Sequence, residues 1–455
     1  MVVSVLFLAA TWIDRPFVGG DTPFVLDGTN AFLQCMDARV FVGCGHTGEL
    51  NDWGLTSSLG DWPLLQHLPD LAMIGLGIDG HPNRTRVLTL LSVLGVLGSV
   101  VLGWLVLTRT GQAAWFWGYL VVLLSGPTLA YARSTAGEMF AMGLLVSLVA
   151  ATVLRAPPVV IALAAFGASI TKETAYPFVV AMGLLGLVLA RRRTGEPIRN
   201  HVLWGAAGVG LALVATSLFN IVRFGSVLNT NYLDEPELHT PGIGRTIEYA
   251  AAVLVSPSGG ILVFWPAATV LLVAACLLPF LRWGRGLDRR PALVLAAAVV
   301  LLTIGFARWW TPFGWSAYGP RLMLPWLAPL VLLALVAYGR ALGRLARRVL
   351  TPVWGLLAVF AVVLALAVPH LGNMWRPDLT GEFFATKDPP CVAPHLGGVE
   401  AWHDCQHELM WSTLPMPVYA AQGVESFEGV FTVVVLGAGL LGCLVLLRED
   451  LAERS

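Results

Sequence analysis

The chain of 455 residues is 56% hydrophobic and only 12% charged, with a mean hydropathy of +0.74 and formal net charge of zero. That composition lies outside the soluble range and leaves no soluble domain of ordinary size; it is that of an all-α polytopic membrane protein, for which membrane lipids are expected partners and nucleic acid is not.

Apolar runs suited to membrane spans lie at 3–12, 87–107, 113–131, 139–154, 159–170, 176–190, 203–222, 261–281, 292–306, 322–338, 353–368 and 430–447, about twelve crossings in all. The first is short of the roughly 20 residues a helix needs to cross the hydrocarbon core. A start placed too late would explain it. A cleaved signal peptide fits less well, because no basic segment precedes the run and no small-residue cleavage site precedes Asp14.

Sorting the connections by side gives an orientation. Alternate connections, beginning with the one at Arg109 and ending with the C-terminal tail, hold 16 of the 28 basic residues and 5 of the 28 acids. The opposite side holds the other 12 basic residues and 23 acids, so the two sides carry +11 and −11. Basic residues collect on the cytoplasmic side of membrane proteins, so the Arg-rich side is expected inside and the acidic loops outside the cytoplasmic membrane.

The stretch from Trp12 to Asp79 carries nine carboxylates among glycines and aromatics. Gly19 and Gly20 allow a sharp turn before Asp21, which the plainest reading makes a helix N-cap. Phe24 to Gln34 has the spacing of a surface helix, and Trp62 to Pro69 reads as a second interfacial segment. Farther on, short outward turns keep their charges: Tyr131 to Glu138, with Arg133, and Ser169 to Tyr176, with Lys172 and Glu173. Lys172 is one of only two lysines in the chain. Lys172 and Glu173 either pair with each other or face a polar cavity, since lipid would not accept them. The segment from Arg308 to Trp326 is again aromatic and cationic. An aromatic belt explains its tryptophans but not Arg308, Tyr318 and Arg321 on a side where positive charge is scarce.

Cys276 and Cys443 fall inside spans as apolar packers, whereas Cys35, Cys44, Cys391 and Cys405 fall in outward loops where bridges form. Local pairs, Cys35 with Cys44 and Cys391 with Cys405, are the simplest of three connectivities. His395, His403 and His407 beside the second pair leave a metal site open as the lesser alternative to a bridge with solvated histidines. Loop 369–428 either caps the outward mouth or binds an acceptor.

These pieces, in this order, resemble the GT-C superfamily of polytopic glycosyltransferases that take sugar from a polyprenyl phosphate, in particular the branch related to protein O-mannosyltransferases. The matching residues are Gly20-Asp21-Thr22-Pro23, the segment DWPLLQHLPDLAMIGLG from Asp61, which resembles that family's PPL-x-Y stretch, and Glu138. Also similar are Ile170 to Glu173, the RFGS motif from Arg223, the SPSGGILVFWP segment from Ser256 and the block ending Gly319-Pro320-Arg321 with Pro325. The resemblance implies a GT-C-like catalytic core over 1–348 with a helical outward loop 13–86, followed by C-terminal spans over 349–455. It implies an inverting transferase acting on the outward face, with Asp21 as general base. Asp21 is followed by threonine rather than a second acid, which leaves Asp27, Asp61 and Glu138 open as partner. Lys172, Arg321, Arg133 and Arg308 would bind the donor phosphate, and Tyr318, Trp315 and Glu173 would line the substrate groove.

One carboxylate suffices for such chemistry, because phosphate is already a good leaving group and needs cations more than a proton. The acid-rich side would accommodate a divalent cation (Mg, Mn or Ca), without the sequence deciding whether one is used. The acceptor is a glycan, a lipid or a protein. A transporter or flippase is the rival reading, and would place paired charges at mid-membrane; a catalytically inactive envelope-assembly protein is another.

Overall fold

The computed structural model describes residues 22–44, 63–229, 241–309, 321–349 and 403–411, apart from single positions at 79, 125, 133, 136, 258 and 409. The described residues are helical, without extended strands. The helices are α1 (Thr22–Asp37), α2 (Leu64–Gly75), α3 (His81–Arg109), α4 (Trp115–Leu124), α5 (Thr128–Ala132), α6 (Glu138–Val153), α7 (Pro158–Ser169), α8 (Tyr176–Thr194), α9 (Arg199–Phe224), α10 (Ile243–Val255), α11 (Ile261–Phe264), α12 (Pro266–Leu277), α13 (Arg290–Ala307) and α14 (Leu324–Val349).

Helical segments at His81–Arg109, Glu173–Thr194, Arg199–Phe224, Arg290–Ala307 and Arg321–Leu345 are long and apolar enough to cross a membrane, with shorter apolar helices at Glu138–Val153, Pro158–Ser169 and Pro266–Phe280. Every apolar run expected between residues 87 and 338 coincides with helix. Two of them are broken. The run at 113–131 splits into α4 and α5 around Pro127, which lacks the N–H that would continue a helix, and the run at 261–281 splits at Trp265-Pro266. The runs at 3–12, 353–368 and 430–447 lie outside the described residues, so the total of about twelve remains a sequence expectation.

α6 sits at the centre, packed against α3, α14, α7 and α8. Its centrality follows from its sequence, which is apolar on every side, so that most of its residues are buried against protein rather than lipid. Small residues set how closely its neighbours approach. A Cβ at Gly95 of α3 would lie 2.1 Å from the Met139 carbonyl oxygen, and one at Gly143 would lie 2.7 Å from the Gly95 Cα. Only glycine permits that crossing, the usual device for joining helices where lipid offers no hydrophobic driving force. At the other extreme α9 is buried over only 22% of its most apolar stretch, against 83% for that of the segment containing α14. The exposed Trp204, Leu211, Val214 and Leu218 form the outer stripe of α9.

The two ends of the bundle differ. At one end Arg155 pairs with Glu196 and Arg192 with Asp288, joining connections that carry the basic clusters. At the other end α1 and α2 lie over the bundle, fixed by α3. Arg84 and Asp70 are almost fully buried and form a two-pronged ion pair, Arg84 Nε donating to Asp70 Oδ1 at 2.5 Å and Nη2 reaching Oδ2. Arg84 also donates to Asn30 Oδ1 and the Leu26 carbonyl, both at 3.1 Å, so one guanidinium joins α1, α2 and α3. The loop after α1 is held by a Cys35–Cys44 disulfide and by Gly43 and Cys44 N–H groups donating to Ile221 and Val222 at the end of α9.

Removing one member of a buried ion pair strands the other charge, at a cost of about 3–5 kcal/mol. Asp70→Asn and Arg84→Met are each expected to lower the unfolding free energy in detergent by that order, and Asp70→Leu with Arg84→Met to recover part of it. Single variants as stable as the parent would show that the pair does not hold α1 and α2 in place.

Candidate functional site

The site builds up from the end that carries α1 and α2. Leu65 N–H donates to the Ile170 carbonyl at 3.2 Å, which brings the start of α2 against the short turn holding Lys172 and Glu173. Gly137, just before α6, packs against Gln66 of α2. Glu138 opens α6, where a carboxylate meets the positive end of the helix dipole. It accepts a bond from Arg321 Nε at 2.5 Å, tying the start of α14 to the start of α6. The other Glu138 oxygen, Oε2, is buried and has no hydrogen-bond partner among the described residues.

A second charged group lies where α8 and α9 meet. Glu173 stands 3.6 Å from Arg223 and accepts from Asn220 Nδ2 at 3.2 Å, while Arg223 Nη2 donates to Asn220 Oδ1 at 2.6 Å. Arg223 is fully buried, its guanidinium over the Phe219 ring at 4.2 Å and the Phe224 ring at 4.6 Å. Lys172 Nζ lies 5.4 Å above the Phe306 ring at the end of α13. Of the pairing expected between neighbours 172 and 173, the structure shows Glu173 turned toward Arg223 and Asn220.

His67 of α2 lies beside Phe219, within reach of the Arg223 charge. Thr29 Oγ1 lies 2.9 Å from the Val25 carbonyl oxygen and 3.0 Å from His67 Nδ1, which ties the imidazole to α1. Nε2 is buried and has no hydrogen-bond partner among the described residues. Burial, reinforced by the Arg223 charge, pushes the imidazole from 6.5 down to about 3.

Several residues singled out in the sequence are placed by the structure, and others lie outside the described residues. Lys172, Glu173, Glu138 and Arg321 gather at the end bearing α1 and α2. Asp27 is on the exposed face of α1, and Arg308 caps α13, exposed. Asp21, Asp61, Arg133, Trp315, Tyr318 and Cys391 lie outside the described residues; α1 begins at Thr22. Cys405 is disulfide-bonded. His403 bonds to the Tyr249 hydroxyl at 2.8 Å and His407 to Glu248, which docks residues 403–411 on α10. Burial disfavours the Glu248 carboxylate, but bonds from His407, Arg245 and Trp411 prevail and hold it below its ordinary pKa. Among the described residues no three His, Cys, Asp or Glu side chains are grouped to hold a metal ion. In the sequence His67 and Arg223 read only as parts of longer motifs, and neither they nor Asn220 stood out as site residues. The Asn220–Arg223 spacing of three, on one helix face, was the available signal.

The sequence matches no family model and none of the curated proteins. Two crystal structures of ArnT from Cupriavidus metallidurans are similar in shape: one bound to undecaprenyl phosphate (TM-score 0.45, 15% identity) and one in the apo state (TM-score 0.42, 17% identity). Each comparison covers 93% of this chain and 76% of the ArnT chain. At that level the likeness decides neither family nor activity.

The neutral His67 has a consequence for stability. Below pH 6.5 the unfolded chain takes up a proton that the folded chain refuses until near pH 3, so the fold loses stability as pH falls through that window, at up to about 1.4 kcal/mol per pH unit. His67→Gln is expected to lose less stability than the parent between pH 6.5 and 5, by about 2 kcal/mol. Unfolding measured at both pH values tests this; identical losses would mean that His67 is not held neutral.

Proposed function

We propose that the protein is an inverting glycosyltransferase of the GT-C type, moving a sugar from a polyprenyl-phosphate donor to an acceptor hydroxyl on the extracytoplasmic face. The observation that carries this reading is the gathering of Lys172, Glu173, Arg223, Glu138 and Arg321 beneath α1 and α2, at one end of helices whose midsections carry no charge. A lipid-linked sugar phosphate presents its anionic group at that depth while its tail stays among apolar helices. The uncharged midsections speak against a transporter, which needs its charges at mid-membrane.

In this reading Asp21, one residue ahead of α1, takes the proton of the acceptor hydroxyl as its oxygen attacks the anomeric carbon from the face opposite the phosphate. The carbon–oxygen bond to phosphate breaks, and the polyprenyl phosphate leaves with the electron pair. Lys172 and Arg321 stabilise the charge that develops on it. Glu138 holds Arg321 at the head of α6, which makes it a positioning carboxylate for that cation. Arg133 and Arg308 are further phosphate contacts, Tyr318 and Trp315 groove residues, and Asp27 and Asp61 alternative acids. The branch related to protein O-mannosyltransferases, a hexose or pentose as cargo and a role in envelope glycan, glycolipid or glycoprotein synthesis belong to the same proposal.

A positioned general base contributes about 10²–10⁴-fold. Asp21→Asn is expected to lower transfer from a polyprenyl-phosphate sugar in membranes by that factor, with expression and donor-lipid binding near the parent's. Full activity in the variant would move the base elsewhere.

A further inference from the structure

At the Arg-rich end, far from the groups just described, a cavity of about 480 Å³ opens where α3, α6 and α8 terminate. Leu105, Arg109, Thr110, Leu154, Arg193 and Thr194 line it. The three helix C-termini each carry roughly half a negative charge and alone would repel an anion. The arginines reverse that sign. Arg109 is exposed and makes no hydrogen bond or ion pair among the described residues, and Arg193 spends one N–H on the Val153 carbonyl at 2.5 Å. A third cation is near: a Cβ at Gly111 would lie 3.3 Å from Arg340 Nη2. The carboxylates of neighbouring connections are already engaged, Glu196 by Arg155 and Asp288 by Arg192. Both threonine hydroxyls donate to carbonyls of their own helices, Thr110 to Leu107 and Thr194 to Ala190, leaving the guanidinium groups as the donors.

We propose that this cavity binds the phosphate of an anionic phospholipid, held by Arg109 and Arg193. Guanidinium groups suit any phosphate oxygen, free or esterified. The lipid is favoured by what lies next to them. Leu94, Val101 and Leu105 share one face of α3 with Arg109, and Leu94 and Val101 are exposed, so an apolar track runs from the cavity along the helix into the bilayer. Basic pockets between spans commonly take lipid headgroups in this way.

Thermal unfolding of the full-length protein in neutral detergent, with phosphatidylglycerol, phosphatidylcholine or inorganic phosphate added at equal phosphate concentration, tests the assignment. Phosphatidylglycerol is expected to raise Tm, and the other two to leave it unchanged. Arg109→Gln, which removes no bond in the free protein, should keep the lipid-free Tm and weaken the phosphatidylglycerol effect roughly tenfold in concentration, as loss of one charge-assisted contact does. Arg193→Lys, which keeps the charge, should retain part of the effect. An equal rise with phosphatidylcholine, or an undiminished one in Arg109→Gln, would overturn the proposal; an equal rise with inorganic phosphate would assign the cavity to a soluble anion instead.

Discussion

Arg84 is the residue on which one whole end of the molecule depends. It enters from the first turns of α3, beneath two helices that do not cross the bundle, and satisfies Asp70 of α2 and Asn30 and Leu26 of α1 at once. Burying that guanidinium and its carboxylate is expensive, and their mutual attraction repays it only because the geometry is two-pronged and the remaining N–H groups find oxygens. The pair thus acts less as a source of stability than as a fastener with one permitted arrangement. With α1 and α2 fixed, Leu65 reaches Ile170, Gln66 reaches Gly137, and the groups around Lys172 and Glu138 acquire a roof.

A second constraint comes from the solvent the bundle is built for. Charges are tolerated at the helix ends and not in their midsections, so the chemistry that a membrane protein of this kind carries is pushed to its faces. The two faces are used differently. Where α1 and α2 lie, carboxylates and cations alternate and hold one another: Glu138 with Arg321, Glu173 with Arg223 and Asn220. Arginines dominate the other face, with few acids to neutralise them, and there the ends of α3, α6 and α8 leave a cavity.

Much of this architecture was legible in the sequence, because a span needs an uninterrupted apolar run and the runs from 87 to 338 supply them. The bridge between Cys35 and Cys44 was also legible, being local and in a loop expected to face outward. What escaped was pairing between helices. Asp70 and Arg84 lie on different helices, and no periodicity within either announces the other. His67 read only as part of an interfacial segment; its neutral state comes from burial, beside Thr29 and Phe219, and from the Arg223 charge, all supplied by residues far away in sequence. The starts and stops of spans were blurred for a related reason. α3 begins at His81, ahead of the apolar run, with an exposed first turn and with Arg84 and Thr85 buried, Arg84 against α1 and α2. The helix from Leu324 continues past the run to Val349 as an arginine-bearing extension.

We propose that the two faces look to opposite sides of the membrane, the end roofed by α1 and α2 outward and the arginine-rich end inward. Cysteine accessibility to a membrane-impermeant maleimide tests this most directly, in a background carrying Cys276→Ala and Cys443→Ala. Leu76, exposed after α2, and Arg285, exposed on the arginine-rich end, are the reporters. Leu76→Cys is predicted to label in intact cells, and Arg285→Cys only after the membrane is permeabilised. Labelling of Arg285→Cys from outside, or of both positions from the same side, would contradict the account.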